Sequence, residues 1–406
     1  MKKRFGVILF LVLALAGCSS STGTDSDKTV IEWSVWDSEF ESTYNALAEA
    51  FEAQNPDIDV EVQYVSYDDF FTKLDTATLG SETPDVVLMQ TRKLGIYAES
   101  GLLMPLTDVL DAGELAKYNT ESVERFSIDD ELYAIPRDIT TRGLYYNASI
   151  LEEAGLDGET YPKDWDQLVE MSREISSKTD KYAFCTDPGD ETYVTFAYQN
   201  GAKLVDENGQ AAFDSPKAIT AYEFMNTFAS EGLMPLPEEN PSCDDLFISG
   251  QVAFYPIDMG KANFFVQSDY ADDYRIAPLP SPSADNPGGL LNGNAIAALA
   301  STDTPEETEL FMNFLLSDEA NELWAKCGLI PAKDGFSDGY VEKYPFGYMD
   351  KVVDGLVTAQ PLPALMDNSW QQKGQEILNA MWSGDITPEE AVTQTNEAIN
   401  ESVEME

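Results

Sequence analysis

Between Ile31 and Met89 the spacing of apolar residues switches four times, and this alternation narrows the fold more than any other feature of the chain. Ile31, Trp33 and Val35 alternate with Glu32 and Ser34, the period of two of a strand. Tyr44, Leu47, Ala48 and Phe51 then recur at helical spacing, and Asn55-Pro56 stops that helix. Val60, Val62 and Tyr64 alternate again, and Phe70, Phe71 and Leu74 mark a second helix. After Pro84-Asp85, the run Val86-Val87-Leu88-Met89 has no polar face, as expected of a strand covered on both sides of a parallel sheet. Strand, helix, strand, helix, strand in that order predicts an α/β lobe.

Further helices announce their starts. Asp164-Trp165-Asp166-Gln167 fits a capping box, in which the first side chain and the fourth bond each other's backbone N–H. Thr304-Pro305-Glu306-Glu307 and Thr387-Pro388-Glu389-Glu390 show one signature twice and predict the same cap at both places. Ser215-Pro216 reads as an N-cap and first helical position, with Gly232 ending that helix. Tyr182–Cys185 reads as a further strand, and Leu279 through Gly289 as a turn-rich connection. A length of 406 residues predicts two or three domains.

The N-terminus sets the compartment. Lys2, Lys3 and Arg4 precede an apolar run from Phe5 to Ala14 that is too short to span a bilayer, and small residues lead to Cys18. This resembles the lipobox of bacterial lipoproteins, in which residues 1–17 are removed and the Cys18 sulfur carries lipid. Residues 18–28 are small and polar, a flexible tether. Removing the signal takes away three of 24 basic residues and none of 73 acidic ones, so the formal charge goes from −49 to 21 − 73 = −52. Such a surface repels nucleic acid and disfavours anionic ligands unless a local basic site overrides the field.

The chain has no histidine. Ser-His-Asp and Cys-His catalysis and any His-containing zinc site are thereby excluded, and neither metal nor cofactor is expected. Carboxylate-pair chemistry remains open. Cys185, Cys243 and Cys327 allow at most one internal disulfide and read as small, partly buried apolar residues.

Nine segments occur in a telling order. Phe51-Glu52-Ala53-Gln54-Asn55-Pro56 precedes the strand at Val60, and Thr83-Pro84-Asp85-Val86-Val87 follows it. Tyr133-Ala134-Ile135-Pro136 leads to Thr141-Arg142-Gly143-Leu144-Tyr145-Tyr146-Asn147. Ala154-Gly155-Leu156 leads to Pro162-Lys163-Asp164-Trp165. Gly250-Gln251-Val252-Ala253-Phe254, the segment Phe311 to Glu319, and Gly328-Leu329-Ile330-Pro331-Ala332 complete the set. In this order the chain resembles the sugar-binding type of bacterial extracellular solute-binding proteins, distant relatives of maltose-binding protein that serve ABC importers.

The resemblance implies an α/β, two-lobed periplasmic-binding-protein-like fold of type II, with the ligand cleft between the lobes and three hinge crossings. The crossings fall near Pro136–Arg142, in Pro280–Asn292 and near Pro331. Residues 29–137 and 292–332 would form the N-terminal lobe, and 138–291 with 333–406 the C-terminal one.

A sugar offers apolar C–H faces for aromatic rings and a rim of hydroxyls for planar polar side chains. Loops at strand ends are where ligands of open α/β sheets sit. Trp36 and Asp37 follow the first strand, and Gln90 and Thr91 follow the buried third one. Arg137, Asp138 and Arg142 fall at the first crossing, Asn292 and Asn294 at the second. In the second lobe the candidates are Asp187, Tyr193, Tyr255, Asp258 and Met259, with Trp370 in a polar neighbourhood that includes Asn368. Many relatives carry a tryptophan just after the Phe254 segment; this chain does not. Trp33, Trp165, Trp324 and Trp382 read as core.

The expected function is capture of a carbohydrate, an oligosaccharide, by a lipid-anchored monomer that hands it to ABC permease subunits without doing chemistry itself. Another small polar solute, a surface glycoside hydrolase and a surface adhesin are the alternatives.

Overall fold

The computed structural model describes residues 28–78, 83–236, 242–282, 289–344, 346–363 and 369–404. The export signal, Cys18 and nearly all of the tether lie outside the described residues, as do 283–288 and Asn368.

The alternation at the start of the chain builds the first sheet. Thr29–Val35 lies between Ile58–Tyr64 and Val86–Gln90 and pairs in parallel with both. The sheet is not purely parallel, however. Asn294–Ala298 enters antiparallel between Val86–Gln90 and the edge strand Ala134–Pro136. Trp33 explains why a distant segment returns here. Its fully buried ring meets Tyr44, Phe311 and Trp324 edge-on at 4.7, 5.2 and 6.4 Å. The helices Pro305–Leu315 and Asp318–Cys327 therefore complete the first lobe's core.

The second sheet runs in the order Tyr274–Pro278, Arg142–Asn147, Val252–Asp258, Tyr182–Phe184. Its helices stack aromatic rings: Trp165 lies on Phe224 at 4.2 Å and Phe184 on Phe228 at 4.0 Å. The C-terminal helices Ser369–Trp382 and Pro388–Val403 close this core.

Three short segments join the lobes and bond to one another. Thr140 and Asn292 exchange both backbone hydrogen bonds, at 2.9 and 2.8 Å, while the Ile139 N–H donates to Ile330 O at 2.9 Å and that of Ala332 to Arg137 O at 3.1 Å. Gly293 has φ +143°, and a Cβ there would lie 2.0 Å from the Asp138 carbonyl oxygen. Only glycine permits this approach.

Two of the three cysteines are not simple apolar fillers. Cys185 and Cys243 form a disulfide across 58 residues that ties the end of Tyr182–Phe184 to the helix Cys243–Ile248. Cys327 is free.

Identical cap signatures have different outcomes. At Thr387 both halves of the capping box form, with Thr387 accepting from the Glu390 N–H at 3.2 Å and Glu390 accepting from the Thr387 N–H at 2.8 Å. At Thr304 the side chain makes no cap bond; the Thr302 hydroxyl instead accepts from the Thr304 N–H at 3.1 Å. At Asp164 only half the box forms, because Gln167 accepts from the N–H of Lys163. Replacing Thr387 with Ala should therefore cost about 1 kcal/mol in urea unfolding, whereas Thr304→Ala should stay within about 0.5 kcal/mol of the parent.

Candidate binding cleft

The carboxyl ends of the parallel strands and the three crossings converge on a cleft of 710 Å³ between the lobes. Of the expected residues, Trp36, Asp37, Gln90, Thr91, Arg137, Asp138, Asp258, Asn292 and Asn294 line it.

Its floor is a buried ion network. Arg137, whose side chain is 1 % exposed, donates through Nη1 to Asp37 Oδ2 at 2.6 Å and through Nε to Asp138 Oδ1 at 2.7 Å. The Tyr44 hydroxyl accepts from Nη1 and donates to Asp37 Oδ1, each at 2.6 Å. Burial opposes the Arg137 charge, but Asp37, with Tyr44 and Asp138, outweighs it and holds the proton affinity well above the ordinary arginine value. These carboxylates thus shape the cleft before any ligand arrives.

The walls carry aromatic rings. Trp36 packs edge-on against Tyr67 and Phe70, at 5.8 and 4.8 Å. Tyr67 is 48 % exposed and donates to Gln90 Oε1 at 3.1 Å. Opposite, the ring supplied by the second lobe is Phe264, 42 % exposed, in the short helix Ala262–Phe265. Sequence reading missed both. Tyr67 could have been found, because it follows the second parallel strand as Trp36 follows the first and Thr91 the third.

Several expected contacts belong elsewhere. Tyr193 and Trp370 meet each other edge-on at 6.3 Å inside the second lobe's core, and Met259 is fully buried in the neighbouring cluster. None of the three reaches the cleft wall. Arg142 is buried behind it, donating to Pro256 O at 2.8 Å and pairing with Asp187 at 3.5 Å and Glu191 at 3.6 Å. Asp187 and Tyr255 line an adjoining hollow of 520 Å³, with Tyr255 donating to Asp244 Oδ1 at 3.1 Å.

Glu191, at the start of the helix Asp190–Gln199, is the hub that sequence reading did not find. It pairs with Arg142 of its own lobe and, at 3.6 Å, with Arg92 across the cleft, and it accepts from Asn292 Nδ2 at 2.9 Å. Beside it, Asp258 accepts from the Thr140 hydroxyl at 2.5 Å and the Gly260 N–H at 2.8 Å. Burial first, and then the charge of Glu191, push the Asp258 carboxyl up to about 6.

This electrostatics sets the expected outcome of three substitutions. Arg137→Met leaves two buried carboxylates unpaired and should cost about 3–5 kcal/mol in urea unfolding. Arg173→Met should cost about 0–1 kcal/mol, although Arg173 grips Glu231 with two bonds of 2.6 Å, because that pair is exposed. For Asp258 the folded state holds the proton more tightly than the unfolded chain, so stability falls as pH rises from the ordinary carboxylate range to about 6. Asp258→Asn removes that loss. The melting-temperature advantage of the variant should grow across this window and be constant above it.

A family model described as bacterial extracellular solute-binding protein matches residues 37–322. The diacetylchitobiose-binding protein DasA of Streptomyces coelicolor is 26 % identical over 346 residues, covering 80 % of each chain. The maltodextrin-binding protein MdxE of Bacillus subtilis is 23 % identical, covering 98 % of this chain and 96 % of its own. An ABC substrate-binding protein of Listeria monocytogenes, solved in complex with cycloalternan, superposes with a TM-score of 0.80 at 21 % identity, covering 92 % of this chain and 99 % of its own. Likeness of that extent establishes the two-lobed fold of type II.

Proposed function

We propose that this chain, which belongs to the bacterial extracellular solute-binding proteins, captures an oligosaccharide between its lobes and delivers it to the permease of an ABC importer. The observation that carries the reading is the pairing of aromatic surfaces on opposite walls around planar polar groups. Trp36 and Tyr67 face the cleft from the first lobe and Phe264 from the second, with Gln90, Asn292, Asn294 and Asp258 between them. Rings of this kind cover the C–H faces of sugars, while the amides and carboxylates take hydroxyls in directed bonds. A volume of 710 Å³ suits a ligand of several rings. Relatives named for diacetylchitobiose and maltodextrin support a carbohydrate over other polar solutes.

The cleft joins two lobes, so a ligand touching both favours the closed form through contacts that exist only there. The permease would read that closure. No bond is made or broken, and we assign no catalytic residue and no cofactor. Lipid on Cys18, with residues 18–28 as a tether, would keep a monomer at high local concentration beside its importer at the outer face of the membrane.

A thermal-shift panel of neutral mono- and oligosaccharides tests the reading. A cognate sugar at a hundred times its Kd should stabilise the fold by about 2.7 kcal/mol. Trp36→Ala should weaken that sugar's binding and, because Trp36 also packs on Tyr67 and Phe70, lower the unliganded melting temperature, so affinity is compared well below the variant's own transition. A shift with peptides or polyamines and none with any sugar would reject the carbohydrate; cleavage of the sugar by purified protein would reject a pure binding role.

A further inference from the structure

Four cationic side chains are buried among the described residues: Arg125, Arg137, Arg142 and Lys333. Three of them follow one rule. Arg137 holds Asp37 and Asp138, Arg142 holds Asp187 and Glu191, and Lys333 holds Glu114 at 2.7 Å and Asp318 at 2.5 Å. Arg125 breaks it. The residue is 7 % exposed, and no carboxylate oxygen of the described residues lies within 4.0 Å of its guanidinium. Its Nε donates to the Thr91 hydroxyl, and its Nη2 donates to Asn292 Oδ1 at 3.1 Å and Gly293 O at 3.2 Å. All three acceptors are neutral. Nη1 has no hydrogen-bond partner among the described residues, and Arg125 lines the cleft.

A buried charge is costly unless it is paired. This chain has 73 acidic residues available for pairing and 24 basic ones, so an arginine left without a carboxylate at the cleft calls for a partner from outside. Asp138 and Glu191 act on Arg125 only from a distance, and burial pulls its proton affinity down to about 10. Arg92, nearby on the same lobe, also lines this wall, where it pairs with Glu191 at 3.6 Å. Of the other carboxylates that line the cleft, Asp37 and Asp138 are held by Arg137 and Glu191 by Arg92 and Arg142, while Glu39, Asp258 and the amides of Asn292 and Asn294 complete the polar lining.

We propose that the carbohydrate taken up here is acidic, and that its anionic substituent, a carboxylate or a sulfate ester, is received by Nη1 of Arg125 with Arg92 beside it. This rests on the carbohydrate reading above and specifies the ligand class. The remainder of the sugar then lies against the aromatic walls. The guanidinium of Arg125, with no carboxylate of its own among the described residues, would admit an anion that the acidic surface otherwise repels.

Calorimetric titration with matched pairs tests the proposal: trigalacturonate against galactotriose, glucuronic-acid-substituted against plain xylotriose, and 6-sulfated against plain N-acetyllactosamine. At least one acidic member should bind about tenfold or more tightly than its neutral partner, with the preference shrinking as salt is raised. The uronate and sulfate arms tell the two anions apart. Arg125→Met should abolish the preference and Arg92→Gln should reduce it; should Arg125→Met fail to fold, the wild-type pairs and Arg92→Gln decide. Neutral members binding as tightly as acidic ones throughout would overturn this inference and leave carbohydrate capture standing. Binding of no member, acidic or neutral, together with a silent neutral panel, would overturn both.

Discussion

The Arg137 guanidinium is the interaction on which the cleft depends. It sits where the first lobe ends and the first crossing begins, and it grips Asp37 from the loop after the opening strand as well as its own neighbour Asp138. One planar cation thereby sets the position of the strand-end loop relative to the hinge. Buried ion pairs add little net stability over apolar packing, but a broken one is expensive. The network therefore fixes geometry more than it supplies stability, and it does so while the rings of Trp324 and Phe40 lie 5.3 and 5.9 Å from the charge.

Much of the architecture was legible because it rests on local periodicity. The strands at Ile31, Val60 and Val86 and the helices between them follow from alternation and helical spacing, and their loops point to Trp36, Asp37, Gln90 and Thr91 at the cleft. What local pattern cannot show is pairing with distant chain. Asn294–Ala298 makes the first sheet mixed because the second crossing feeds it back between two earlier strands. The two Thr-Pro-Glu-Glu segments read alike, yet one cap forms and the other yields to Thr302.

Side-chain destinations were harder to read than elements. Tyr193 and Trp370 have the chemistry of sugar contacts but find each other, and Gly374 makes room for the Tyr193 hydroxyl. Arg142 stands at the expected crossing but turns behind the wall to hold Asp187 and Glu191. Glu191 and Arg125 carry no signal of their own in the sequence: each lies in an ordinary polar stretch and gains its role from groups far along the chain. The second lobe carries no tryptophan directly after the strand Val252–Asp258; Phe264, in the short helix that follows, is the ring it sets on the cleft wall.

The Glu191–Arg92 pair that spans the cleft has a consequence for how the lobes move. Its side chains are 28 % and 31 % exposed and its separation is 3.6 Å, so it is worth at most about 1 kcal/mol. The protein's own electrostatics thus puts only a light latch across the mouth. A contact that weak would yield to a ligand with modest differential affinity for the two arrangements of the lobes. What closes this cleft would therefore have to come from whatever it holds, because its own walls grip each other only weakly.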